Sequence, residues 1–156
     1  MIHFYFSNDK SENTDEKLLR AIKNAVSDLK GSYALEILSA FYPDRFVVIR
    51  KDSPLVIGKG NNENFVASDI PAVLRYTKDF YLLNDNELAL VCKDRITFYD
   101  MNLAAHNKEI KNIEWDASAA EKDGYEDYML KEIFEQPTAI RETIGSRFKL
   151  GEKCSF

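Results

Sequence analysis

The sequence is poor in the residues from which several common kinds of site are built. It has two cysteines, two histidines and six glycines in 156 residues. Cys92 and Cys154 cannot form a disulfide framework or a four-cysteine zinc site, and we interpret both as reduced thiols of a cytoplasmic protein. Neither His3 nor His106 has a metal-ligating partner at short spacing, so no zinc or iron site is predicted.

Long apolar runs and an excess of positive charge are also missing. No run approaches the roughly 18 apolar residues that span a bilayer. The N-terminus MIHFYFSNDK has neither the basic start nor the small-residue cleavage site of a secretory signal. The formal net charge is −5, whereas nucleic-acid surfaces are rich in lysine and arginine. We therefore expect a cytoplasmic globular protein that binds neither membranes nor nucleic acids.

One helix stands out in the N-terminal part. Between Asn13 and Leu29, apolar residues recur at helical spacing, with Thr14 placed to cap the helix and Gly31 to end it. A shorter helix is predicted for Ile70–Tyr76, capped by Ser68 or Asp69. From Ala117 onward the pattern is again helical.

Most of the remaining chain is predicted to be strand. The predicted strands are Ser32–Phe41, Arg45–Lys51, Leu55–Ile57, Phe65–Ala67, Asp79–Leu83, Glu87–Lys93, Arg95–Tyr99 and Glu109–Trp115. Tyr42-Pro43-Asp44 is predicted to connect the first two as a hairpin, and Pro137 to kink or restart the C-terminal helix. Because the strands follow one another, the expected fold class is an α+β sandwich of antiparallel sheets packed with helices. It spans residues 1–144, with 145–156 as a tail or linker.

The stretch SPLVIGKGNNENFVASD, residues 53–69, contains the best candidate for a phosphate loop. A P-loop needs GxxxxGK[ST] leading into a helix, whereas Gly58-Lys59-Gly60 leads into a predicted strand. We therefore interpret the loop as a corner whose glycines permit unusual backbone angles. An unrelated enzyme that holds a phosphorylated sugar there is the minor alternative.

Other reactive residues also have structural interpretations. Cys92 lies within a predicted strand, where packing is expected, and His106 lies in a polar turn. The carboxylates Glu121, Asp123, Glu126 and Asp127 form an acidic run typical of a solvated helix face. We therefore assign no catalytic, cofactor-binding or metal-binding residue.

Five motifs occur in a family-specific order over some 120 residues. They are LKGSYAL from Leu29, SPLVIG from Ser53, ENFVASD from Glu63, Trp115-Asp116 with Ala119-Ala120-Glu121-Lys122, and MLKEI from Met129 with Glu135-Gln136-Pro137. From about Leu18 to Ile144 the chain thereby resembles the second half of the glutamine amidotransferase domain of glucosamine-6-phosphate synthases, also called glutamine–fructose-6-phosphate aminotransferases (isomerising).

The resemblance implies an N-terminal-nucleophile (Ntn) sandwich, two antiparallel sheets between helical layers. In the family, an N-terminal cysteine hydrolyses glutamine with its own α-amino group as base, and the ammonia passes to a separate isomerase domain holding fructose 6-phosphate. No residue here matches that cysteine, the carboxylate-binding arginine, the oxyanion-hole Asn–Gly pair or the amine-binding aspartate. These are expected upstream of Met1, and the isomerase domain beyond Phe156. The resemblance thus implies a chain that is catalytically silent alone.

An alternative is a non-catalytic interaction module. Half of a sandwich leaves sheet edges and apolar faces uncovered, and both favour pairing with another chain. The expected partner is a second copy, giving a homodimer, or a separately encoded front half that restores glutaminase activity.

Overall fold

The computed structural model describes residues 1–12, 14–114 and 125–145. The chain divides into two compact units, residues 1–115 and residues 116–156. The first unit contains both sheets and two helices, and the described part of the second consists mainly of one helix.

The described residues form helices and short strands in the following order. The helices are α1 (Ile2–Asn8), α2 (Asp15–Ser27) and α3 (Tyr128–Gly145). The strands are β1 (Tyr33–Ser39), β2 (Tyr42–Lys51), β3 (Val56–Lys59), β4 (Asn64–Ala67), β5 (Asp79–Leu82), β6 (Leu88–Cys92), β7 (Ile96–Tyr99), β8 (Ala105–His106) and β9 (Lys111–Asn112).

The strands form two antiparallel sheets. One has five strands in the order β1-β2-β6-β7-β8, and the other has four in the order β4-β3-β5-β9. Successive side chains of β2 point to opposite faces of the sheet. Val47 and Ile49 therefore lie in the core shared with α1 and α2, and Val48 lies in a second core shared with residues of the four-stranded sheet. A third cluster, with Phe80 at its centre, lies on the four-stranded sheet. The predicted α+β class with antiparallel sheets and helices is therefore confirmed.

Helix α2 agrees closely with its prediction. Its buried residues include Leu18, Leu19, Ile22 and Val26. The Thr14 hydroxyl accepts a hydrogen bond from the Lys17 N–H at 3.4 Å, and Gly31 follows with a φ of +89°, which a side chain would strain. Asn13 lies outside the described residues.

The predicted hairpin between the first two strands is present, but its turn does not lie at Tyr42-Pro43-Asp44, because β2 already begins at Tyr42 and pairs there with Ser39. Pro43 is compatible with this longer strand because pairing with β6 begins only at Arg45. The missing N–H of Pro43 therefore removes no hydrogen bond to β6.

The predicted helix at Ile70–Tyr76 is a run of turns. Its backbone N–H groups donate to carbonyls three or four residues back, as Val73 and Leu74 both do to Ile70 at 3.0 Å. Because bonds over three and over four residues are mixed, the segment does not form the continuous four-residue ladder of an α-helix. Asp69 does accept the Ala72 N–H, at 3.1 Å, as its predicted capping role requires.

Further differences lie near the two ends of the chain. Helix α1 was not predicted, and the predicted strand Glu109–Trp115 is limited to β9 among the described residues. A kink or a restart was predicted at Pro137, and the helix does not restart there, because α3 runs through Pro137 as one helix. Pro137 has no N–H to donate to the carbonyl of Ile133, a residue that is 51% exposed. Of the predicted tail, Gly145 ends α3 and residues 146–156 lie outside the described residues.

Candidate functional site

The predicted corner at Gly58-Lys59-Gly60 is present but shorter, because Gly58 and Lys59 belong to β3 and the turn to β4 begins at Gly60. Strands β3 and β4 pair with Lys59 opposite Asn64, and the Gly60 N–H donates to the Glu63 carbonyl at 3.0 Å. Because a strand follows the loop, it has no helix N-terminus to bind phosphate.

The predicted reason for the two glycines is wrong. Gly31 is the glycine with positive φ among the described residues, and Gly58 and Gly60 need no special backbone angle. The two glycines are explained instead by the lack of space for a side chain. A Cβ at Gly58 would lie 2.8 Å from Val73 Cγ1 and 2.8 Å from Thr77 Cγ2, and one at Gly60 would lie 2.8 Å from the Glu63 carbonyl oxygen.

Replacing Gly58 by alanine is therefore expected to lower the free energy of unfolding by about 1–3 kcal/mol through overpacking. Thermal or urea unfolding measures the change. In a Val73→Ala background the same substitution should cost less, because that change removes one of the two clashing methyl groups. An equal cost in both backgrounds would show that the contact with Val73 is not the cause.

A polar depression of about 420 Å³ lies between this corner and the turn that joins β6 to β7. The Asn64 side chain ties the two together, donating to the Cys92 carbonyl at 2.7 Å and the Lys93 carbonyl at 3.3 Å. The depression is lined by Lys59, Gly60, Asn61, Asn62, Asn64, Tyr81, Lys93, Asp94, Arg95 and Ile96. The depression therefore lies where the ends of the two sheets meet.

A second depression, of about 360 Å³, shares Tyr81, Arg95 and Ile96 with the first. It continues along β7 and β8 to His106 and Lys108. The two depressions are therefore neighbours, and we call them together the basic groove.

An ion cluster around a buried carboxylate lies beside the second depression. The Glu87 carboxylate, 5% exposed, accepts hydrogen bonds from Lys108 Nζ at 2.7 and 3.0 Å and from the Asn84 N–H at 2.7 Å. His106 Nε2 lies 2.7 Å from the same carboxylate. Burial raises the pKa of Glu87, but these hydrogen bonds outweigh it and the pKa is lowered.

The other reactive residues considered from the sequence lie in different parts of the structure. His3 is exposed on α1, about 3.4 Å from the Ser7 hydroxyl. Cys92 is half-buried at the end of β6 and packs against the helix-side core. Asp127 accepts the Leu130 N–H at 2.7 Å at the start of α3, so it caps that helix rather than lying on its face. Cys154, Glu121 and Asp123 lie outside the described residues.

Sequence reasoning missed the placement of His106. It was predicted in a polar turn, but it lies in β8, opposite Phe98 of β7. A two-residue strand of Ala and His carries no periodic signal. In residues 1–12, 14–114 and 125–145, no three His, Cys, Asp or Glu side chains come together as a metal site. None of the described helices is long and apolar enough to span a bilayer.

No protein-family model matches this chain. A Clostridium tetani protein named glutamine–fructose-6-phosphate aminotransferase (isomerizing) is 45% identical over 152 residues, which are 97% of this chain and 24% of that protein. The protein of that name from Clostridium acetobutylicum is 49% identical over 86% of this chain and 22% of its own length. One from the archaeon Methanosarcina acetivorans is 47% identical over 93% of this chain and 23% of its own length.

The chain thus spans about a quarter of the length of the curated relatives it matches. Identity of this level across nearly the whole chain agrees with the motifs that run from Leu29 to Pro137. The resemblance stated from the sequence is confirmed: the chain is similar to one segment of proteins named glutamine–fructose-6-phosphate aminotransferase.

Proposed function

We propose that residues 1–144 are the C-terminal portion of a class II glutamine amidotransferase domain with an Ntn-type sandwich, and that they act as its scaffold. The observation that carries the proposal is the match of 97% of this chain to 24% of a relative named for glutamine and fructose 6-phosphate. Two antiparallel sheets with helices packed on one of them support it.

The proposed scaffold is silent in glutamine hydrolysis on its own. Such chemistry requires an activated nucleophile and preorganised donors for the oxyanion. No residue of the 156 matches the family's nucleophile or oxyanion motif. Cys92, the cysteine among the described residues, lies at a strand end with its carbonyl held by Asn64, and no described side chain is placed to act as its base.

Glutamate release from glutamine by the purified chain tests this proposal. The N-terminal residue is confirmed by intact mass, and the chain is prepared from a host strain lacking its own synthase. We expect release no faster than in a protein-free control. Turnover that Cys92→Ala abolishes would contradict the proposal, because it would identify a nucleophile in this chain.

A second candidate function, an interaction module, is favoured by the edge formed by β1. In β1, Tyr33, Leu35 and Ile37 pack against the helix-side core, whereas the intervening residues are exposed, Leu38 to 76%. β1 ends the five-stranded sheet, so its outer backbone groups have no strand partner among the described residues. Such an edge favours the addition of another strand.

The edge strand β1 is better suited to pair with a front half of the amidotransferase domain than with a second copy of this chain. A twofold antiparallel pairing of β1 across its full length would place residue 33 opposite 39, and hence Glu36 opposite Glu36 of the second copy. Like charges directly opposite each other are destabilising. We therefore propose a separately encoded front half of the amidotransferase domain as the partner, and the homodimer as the less favourable pairing.

Replacing Leu38 by aspartate is expected to weaken binding of such a front half by at least about tenfold, because a charge replaces an apolar contact at the edge. Calorimetry with the front portion of the Clostridium tetani relative measures the affinity. Ile110→Asp, at a residue 40% exposed and outside β1, is the matched control and should change it less than twofold. Equal effects of both variants would contradict docking at β1.

A further inference from the structure

Helix α3 carries an apolar stripe along most of its length. At about 100° per residue, the stripe occupies an arc of about 140° and consists of Met129, Leu130, Ile133, Phe134, Pro137, Ile140 and Ile144. All of these except Pro137 are large hydrophobic residues that are more than a third exposed. Phe134 is 61% exposed although its ring stacks on that of Tyr125. An amphipathic helix buries such a stripe, so α3 is suited to pack against a further apolar surface.

The spacing within the stripe is that of a short coiled coil. Intervals of three and four residues alternate along Leu130, Ile133, Pro137, Ile140 and Ile144. This alternation keeps a seam facing a partner helix over two heptads. The glutamates of α3 lie outside the seam, and Glu135 is paired there with Lys131 at 3.7 Å. Another helix with the same seam could therefore pack on α3 without burying a glutamate.

The residues that flank the seam favour an antiparallel second copy of α3. In an antiparallel pair, the residues that follow each second seam position face one another. Phe134 then lies next to Phe134 of the second copy, and Asp127 lies opposite Arg141. Twofold symmetry forms the Asp127–Arg141 pair twice. In a parallel pair Arg141 would face the uncharged Gln136, and at β1 two copies would place Glu36 opposite Glu36.

A lipid surface fits the stripe less well. The polar face of α3 carries Glu132, Glu135 and Glu142 with Lys131, whereas helices that lie on anionic membranes are rich in lysine and arginine on that face. The helix is about 27 Å long and about 10 Å across, which is less than the roughly 800 Å² per partner of a standard interface. We therefore expect a weak dimer rather than a permanent one.

We propose that the apolar stripe of α3 is an interface between two copies of this chain, which pair through antiparallel α3 helices with Asp127 of each copy next to Arg141 of the other. This interface is separate from the β1 edge and does not rest on the proposed scaffold function.

Sedimentation equilibrium of the whole chain tests the interface. Between about 5 and 500 µM we expect a monomer–dimer equilibrium with a Kd of about 100 µM or tighter. Ile133→Glu should raise the Kd at least about tenfold, because it places a charge in the seam. Ala139→Glu adds the same charge at an exposed residue on the opposite face and should change the Kd less than about twofold. A monomer at every concentration, or equal weakening by both variants, would overturn the proposal.

Two charge reversals test the antiparallel orientation. Asp127→Lys and Arg141→Glu should each weaken self-association at least about threefold, because each opposes like charges twice in the dimer. An equimolar mixture of the two variants should dimerise about as well as wild type, since both opposite-charge pairs form again. Circular dichroism checks that Asp127→Lys, which loses the cap on the Leu130 N–H, keeps α3 helical. A mixture that associates no better than either variant would overturn the antiparallel pairing, and a dimer dissociated by Leu38→Asp but not by Ile133→Glu would place the contact at β1 instead.

Discussion

Replacing Glu87 by alanine is expected to lower the free energy of unfolding by about 3–5 kcal/mol. The substitution leaves Lys108, whose side chain is 13% exposed, without its carboxylate, and the Asn84 N–H without its acceptor. A cation left buried without a partner is strongly destabilising, whereas replacing both partners of a buried pair is tolerated much better. Urea unfolding monitored by circular dichroism measures the change.

Three further variants separate this ion-pair effect from general packing. Glu87→Gln combined with Lys108→Met should be closer to wild type than Glu87→Gln alone, because the glutamine still accepts from Asn84 and no unpaired cation is left. Glu109→Ala, at an exposed glutamate, is the control and should change stability by less than about 0.5 kcal/mol. A double variant as unstable as the single one would contradict a role for the pair.

The Glu87 contribution also has a defined pH dependence. Because the pKa of Glu87 is lowered in the folded protein, its stabilising contribution is complete above the unfolded-state glutamate pKa of about 4.3. The contribution is lost as the pH falls through the folded-state value. The stability difference between wild type and Glu87→Gln should therefore narrow on acidification below about pH 4.3, and a widening difference would contradict the account.

Phe80→Ala is the second substitution with a large expected effect, about 3–5 kcal/mol of lost stability. Phe80 is fully buried in the cluster with Val56, Val73 and Leu74, and truncating it removes apolar contact and leaves a cavity. Phe80→Leu should recover much of the loss. Phe41→Ala, at a phenylalanine 61% exposed, should cost less than about 1 kcal/mol, and equal effects at Phe80 and Phe41 would contradict the observed core.

Sequence reasoning succeeded where a long periodic pattern coincided with a capping residue. Helix α2 has both, in its apolar face and Thr14. It failed for α1, because IHFYFSN has an aromatic composition typical of a strand and no side-chain cap. It failed at Pro43 because proline is typical of turns, whereas here Pro43 lies in the part of β2 that does not pair with β6 and so loses no hydrogen bond to it.

The candidate site was less predictable than the fold. The sequence predicted a corner close to its observed place at Gly60, but the need of Gly58 and Gly60 for space depends on Val73, Thr77 and Glu63, whose positions no local pattern gives. The basic groove joins Lys59 to Arg95 across two sheets, and the Glu87 cluster joins residues about 20 positions apart. Such groupings follow from sheet topology, which a single sequence does not determine.

The most direct test of the central claim, that this chain is the scaffold portion of an amidotransferase domain, is complementation. The chain is mixed with the portion of the Clostridium tetani relative that precedes the matched stretch, and glutamate release is measured for each piece and for the pair. The account predicts glutamate release by the pair and by neither piece on its own. Leu38→Asp should reduce the release by the pair, and Cys92→Ala should leave it unchanged. Release by this chain alone, or a folded pair that binds but does not hydrolyse glutamine, would contradict it.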